Sequence, residues 1–118
     1  REALAQVRTF LQRYGESAFT DWNRPAVVDN HAPVRSDRAG FRRCDDSNAD
    51  GAEVEYLVFN DVWRERVCKG LDPVFVGNVM LDRGFVKKAE RGYHGKVRTP
   101  EGLHRMVRIL PAFLGAEF

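Results

Sequence analysis

An apolar strand, two capped helical segments and a basic, turn-punctuated ribbon, in that order, predict an α+β fold. The order is that of a winged helix-turn-helix-like domain. Three stretches carry the prediction: EYLVF at 55–59, the pair NDVWRERVCKG (60–70) and LDPVFVGNVMLDRG (71–84), and FVKKAERGYHGKVRTPEGLHRMVRIL (85–110). An N-terminal helix and irregular arm over 1–40 lead into the domain, 41–118, which gains an additional β-hairpin, and the whole is expected to form one unit. A length of 118 residues suits a single domain with an arm, and 43% apolar residues suffice for a sizeable core.

In chain order, Leu4, Val7, Leu11 and Tyr14 recur at helical spacing, with Ala3 and Phe10 widening the stripe and Gly15 ending it. ESAFTDW (16–22) is read as a helical turn or as a cover for the core through Phe19 and Trp22. The two prolines of RPAVVDNHAPVRSDRAG (24–40) mark an irregular connection. FRRC (41–44) and EVEYLVF (53–59) predict a hairpin, 41–45 paired with 53–59, with an acidic loop at its tip.

Asn60 stands where an N-cap belongs, with Asp61 at the positive end of the helix. Trp63 and Val67 should bury with Val62, while Arg64, Glu65 and Lys69 face water. Gly70 supplies a left-handed exit. Asp72 then caps a second helix with Pro73 in its first position, where a missing N–H costs nothing. Phe75, Val76, Val79 and Met80 form its expected core stripe, leaving Val74, Asn78 and Arg83 outward. Beyond Gly84, RGYHG and TPEG are turns, separating the strands KVR (96–98) and RMVRIL (105–110).

The net charge of +2 hides an asymmetry. Residues 1–82 hold 11 Lys and Arg against 14 Asp and Glu, whereas residues 83–108 hold 8 against 2. Positive charge concentrated in one ribbon sets the local field that a phosphate backbone feels. No run of 18 apolar residues occurs, so no membrane span is expected. Two cysteines, Cys44 and Cys68, predict buried thiols in a reduced, cytoplasmic setting. The chain opens on Arg1 without a secretory signal, and the expectation is an excised piece of a longer protein.

RAGFRR (38–43), EYLVFNDVW (55–63), VCKGLDP (67–73), LDRG (81–84) and GKVR (95–98) together resemble the C-terminal domain of a helicase-like family. Prophages, conjugative elements and plasmids carry these proteins, which are described as replicative helicases or primase-helicases. The resemblance covers roughly residues 4–114 and implies a winged-helix-like domain that follows an ATPase core in the same chain. This sequence has no GxxxxGK[ST] loop and no acidic Mg²⁺-binding partner, so nucleotide hydrolysis is not expected here and no cofactor is assigned.

DNA is the expected partner, held through its backbone, duplex or forked. Lys87, Lys88, Arg91, Lys96, Arg98 and Arg105 alternate with apolar residues, so several should share the solvent face of the ribbon and contact phosphates. The competing reading is a solvated basic edge that discourages aggregation. Tyr93 and His94, at the expected ribbon tip, are candidates for stacking on a base, against a plain turn. On the second helix only Asn78 and Arg83 are equipped for base edges, so the expectation is backbone-directed binding, with protein docking through this helix as the alternative.

Other motifs carry less. Asp46, Asn48, Asp50 and Gly51 fit the first half of a calcium loop, but its final bidentate Glu is replaced by Leu57. His31, His94, His104, Cys44 and Cys68 lack zinc spacing. Arg38, Arg42 and Arg43 are candidates for phosphate binding or for pairing with Asp45, Asp46 or Glu53 across the hairpin.

Overall fold

A computed structural model describes residues 2–23, 38–45 and 53–117. It contains helix α1 (Glu2–Tyr14), strands β1 (Phe19–Asp21), β2 (Gly40–Asp45) and β3 (Glu53–Phe59), and helix α2 (Asn60–Val62), which continues as a π-helical turn over Trp63–Val67. Helix α3 (Pro73–Asp82), strands β4 (His94–Thr99) and β5 (Gly102–Ile109) and a short α4 (Ala112–Gly115) complete it. The five strands form one mixed sheet in the order β1-β2-β3-β5-β4. The fold is α+β. The middle of the arm, the hairpin tip and the calcium-loop residues Asp46, Asn48, Asp50 and Gly51 lie outside the described residues.

Strand alternation divides the sheet into two faces. Tyr56, Val58, Val107 and Ile109 join Leu4, Val7 and Leu11 of α1, Trp63 and Val67 of the π turn, and Val76 and Met80 of α3 in the main core. The opposite face buries a smaller cluster of Phe41, Leu57 and Met106, edged by Trp22, Phe59 and Val97. The expected hairpin is present, with β2 antiparallel to β3 and Phe41 opposite Leu57. Phe19 and Trp22 cover the core as expected, but from a strand and not a helical turn: β1 pairs in parallel with β2, Phe19 opposite Gly40. Three residues are too few to display a strand period, so only the pairing reveals it.

The helical pair is built largely as its residues dictate. Asp72 accepts from the backbone N–H of Val74 and Phe75, at 3.0 and 3.3 Å, and Pro73 opens the helix. Gly70 leaves the first helix at φ +81°, a conformation open to glycine. The π turn carries an extra residue per turn, closed by the Cys68 N–H donating to the Trp63 carbonyl at 2.9 Å. That widening turns Trp63, Val67 and Cys68 all inward. Gln6 of α1 donates to the carbonyls of Val67 and Lys69, both at 2.9 Å, and so caps the end of the turn from another helix.

Three expectations are corrected. Asn60 is the first helical residue and not the cap; its Oδ1 is buried without a hydrogen-bond partner among the described residues. Phe75 is 63% exposed, outside the core. Buried Val76, Gly77 and Met80 rotate the inner face of α3, because the Tyr93 ring lands on Gly77, and Phe75 falls with Val74, Asn78 and Asp82 on the far side of the axis. Cys68 is buried as expected, but Cys44 is only half-buried.

Candidate nucleic-acid interface

After α3 the chain returns along β5 in two steps. Val86 pairs with Ile109, and the Lys87 N–H donates to the Arg108 carbonyl at 2.9 Å. The chain then leaves the edge for a turn closed by the Ala89 N–H donating to the Gly92 carbonyl at 2.8 Å. At His94 it rejoins β5 as β4, with Lys96 opposite Arg105 and Arg98 opposite Leu103. Gly95 permits the close return: a Cβ there would lie 2.7 Å from the Ala89 methyl.

Between the turn and the ribbon lies a recess of about 420 Å³. Lys87, Lys88 and Arg91 line it from the turn and Lys96 and Arg105 from the strands, although Lys96 and Arg105 lie on the sheet face of Val107, opposite the face of Gly95, Val97 and Met106 over which the turn folds. All five are exposed, and Lys87, Lys88, Arg91 and Lys96 make no ion pair among the described residues. Arg108 also lines it, yet its Nε donates to Glu55 at 2.6 Å, where Arg43 joins at 3.2 Å. Glu90 is the lone carboxylate on the lining. Lys96 and Arg105 are direct cross-strand neighbours on one face, a like-charge placement that destabilises a bare sheet.

His94 adds a constraint. Its Nδ1 lies 3.2 Å from an Arg105 Nη, which can only donate, so the ring is a neutral acceptor there. Burial, then Arg105 and Arg64, hold its pKa below the usual histidine value. Arg64, expected merely to face water, therefore contributes to the field of this recess. Its position on the π turn brings it there, which linear charge counting does not reveal.

Two expectations about the ribbon are corrected. Tyr93 is buried and not at a tip: a Cβ at Gly77 would meet its ring at 2.4 Å, and Trp63 lies 6.1 Å away by ring centroids. His94 opens β4, and the ribbon turns instead at Pro100 and Glu101. That tip is tethered. Arg38 donates twice to Glu101, once at 2.6 Å, and the Thr99 hydroxyl donates to the Gly102 carbonyl at 2.7 Å. The Arg38 hydrogen bond holds the Glu101 carboxyl below its ordinary pKa. Arg43 thus pairs across the hairpin as expected, though with Glu55 directly opposite it and not with Glu53, while Arg38 pairs with Glu101.

The recess unites five expected residues, Lys87, Lys88, Arg91, Lys96 and Arg105, and leaves three outside. Arg98 is exposed nearer the tip, Asn78 sits on α3 and Arg83 is the C-cap of that helix. Among the described residues, no three His, Cys, Asp or Glu side chains gather as a metal site, and no helix is long and apolar enough to cross a membrane. No family model, curated protein or solved structure matches the chain.

Proposed function

We propose that this chain is a non-catalytic nucleic-acid-binding domain that grips phosphates through the recess between the 87–92 turn and the β4–β5 ribbon. The observation that carries the reading is the gathering of Lys87, Lys88, Arg91, Lys96 and Arg105 along one short stretch of turn and ribbon, without an ion pair among the described residues. Lys96 directly opposite Arg105 is a like-charge pair that costs stability, and an anion bridging the two removes the repulsion.

The strand–helix–turn–helix–ribbon order, with β5 between β3 and β4, supports a winged-helix description. In that description the tethered tip does not probe DNA and the base of the ribbon does. Arg98 extends the phosphate track, while Asn78 and Arg83 stay marginal because α3 also exposes Val74, Phe75 and Asp82. Within the resemblance to mobile-element helicases, the domain would hold duplex or forked DNA beside an ATPase core of the same protein. Binding of labelled forked and duplex DNA, compared at about 50 and 200 mM salt, tests this: affinity should fall at least tenfold across that range.

The second reading is a docking module for that ATPase core. Val74 and Phe75, 53% and 63% exposed at the start of α3, favour it. Absence of DNA binding at low salt, with core binding lost on Phe75→Ser, would promote it over the first.

A further inference from the structure

We propose that the β4 edge of the sheet lies between two nucleic-acid backbones, one along each face. The ligand is then a pair of strands, closed or diverging, in preference to a single strand. The inference deepens the nucleic-acid reading above and rests on it.

The two faces carry separate sets of cations. His94 and Val107, Lys96 and Arg105, and Arg98 and Leu103 are direct cross-strand partners, so all of them share the face on which Val107 joins the main core. Lys87 lies on the other face. Val86 pairs with the core residue Ile109, and Lys87 follows it opposite Arg108, itself a neighbour of buried Leu57. The turn that continues from it stays on that side, with Ala89 over Gly95, and carries Lys88 and Arg91. Lys87, Lys88 and Arg91 on one side, and Lys96, Arg98 and Arg105 on the other, form no ion pair among the described residues.

The direction of the helix-side row distinguishes one backbone from two. Lys96 and Arg98 stand two residues apart on β4, about 7 Å, so a backbone following them runs along the edge and not around it. Arg64 extends the row beyond His94. Its neighbour Trp63 packs on Tyr93 with centroids 6.1 Å apart, and its charge, like that of Arg105, disfavours protonation of His94. The neutral His94 ring holds Arg105 in place at 3.2 Å, leaving that guanidinium further N–H donors for phosphate. A backbone lying on this row is screened by the sheet from Lys87, which is free to meet a second one. A layer packed on a sheet stands about 10 Å from it, so backbones on both faces are separated by more than that. A major groove about 12 Å wide, or the arms of a fork, meets the requirement; a minor groove about 6 Å wide does not.

The test uses the whole chain with a labelled fork, a blunt duplex and a single strand of shared sequence, measured by anisotropy over a range of salt. At about 150 mM salt, at least one two-stranded ligand should bind roughly tenfold or more tightly than the single strand. On that ligand, Lys87→Gln/Lys88→Gln and Lys96→Gln/Arg98→Gln should each lose about 1–2 units of the slope of log affinity against log salt. Either variant should also lose the preference over the single strand. Wild-type affinity as high for the single strand, or a slope unchanged in one of the two variants, would overturn the two-backbone arrangement and leave the nucleic-acid reading intact. No binding of any of the three ligands would overturn both.

Discussion

Single residues here have measurable consequences. Because the folded state lowers the pKa of His94, protonation opposes folding: its contribution is full above about pH 6.5 and is lost as pH falls toward the lowered value. Chemical denaturation at pH 7.5 and 5.5 should therefore show a larger loss of stability in the wild type than in His94→Gln, and equal losses would refute the assignment. Gly77 admits the Tyr93 ring, so Gly77→Ala should cost about 1–3 kcal/mol through overpacking, less the gain of about 1 kcal/mol in helix propensity. Urea unfolding reads that balance. Burial, reinforced by Asp72, pushes the Cys68 thiol up to about 12, so thiol reagents should label half-buried Cys44 first and Cys68 only on unfolding.

Elements differ in how openly the sequence declares them. Helix α1 and the β2–β3 hairpin were legible because their apolar periods run long enough to fix a face. Asp72 and Pro73 announced the start of α3, yet its inner face was misjudged: Gly77 looks like a gap in a stripe until Tyr93 fills it. The cap on the π turn was invisible, since Gln6 lies some sixty residues upstream of the carbonyls it satisfies. Gln6→Ala should destabilise by about 1 kcal/mol, seen as a lower denaturant midpoint with the slope unchanged. The ribbon tip depends likewise on a distant partner, Arg38. Glu101→Gln weakens that tether and should raise amide exchange at 99–102 while leaving exchange in α1 unaltered.

Across the whole molecule, the sequence localised the basic charge correctly but not its shape. Counting residues located the excess at 83–108, and alternation suggested one shared solvent face; instead the 87–92 turn folds over Gly95, on the face opposite Lys96 and Arg105, and leaves a recess at this edge of the sheet. The helices build the main core on one face of the sheet, and α3 presents an apolar and acidic outer surface. Phosphate affinity should accordingly reside in the recess and not in α3. The slope of log affinity against log salt for duplex DNA tests this most directly, compared among wild type, a Lys87→Gln/Lys88→Gln/Lys96→Gln variant and an Asn78→Ala/Arg83→Gln variant. The account predicts that the recess variant loses about 2–3 units of slope, near one per phosphate contact, while the α3 variant loses at most about one. A recess variant with the wild-type slope, or a larger loss in the α3 variant, would contradict it.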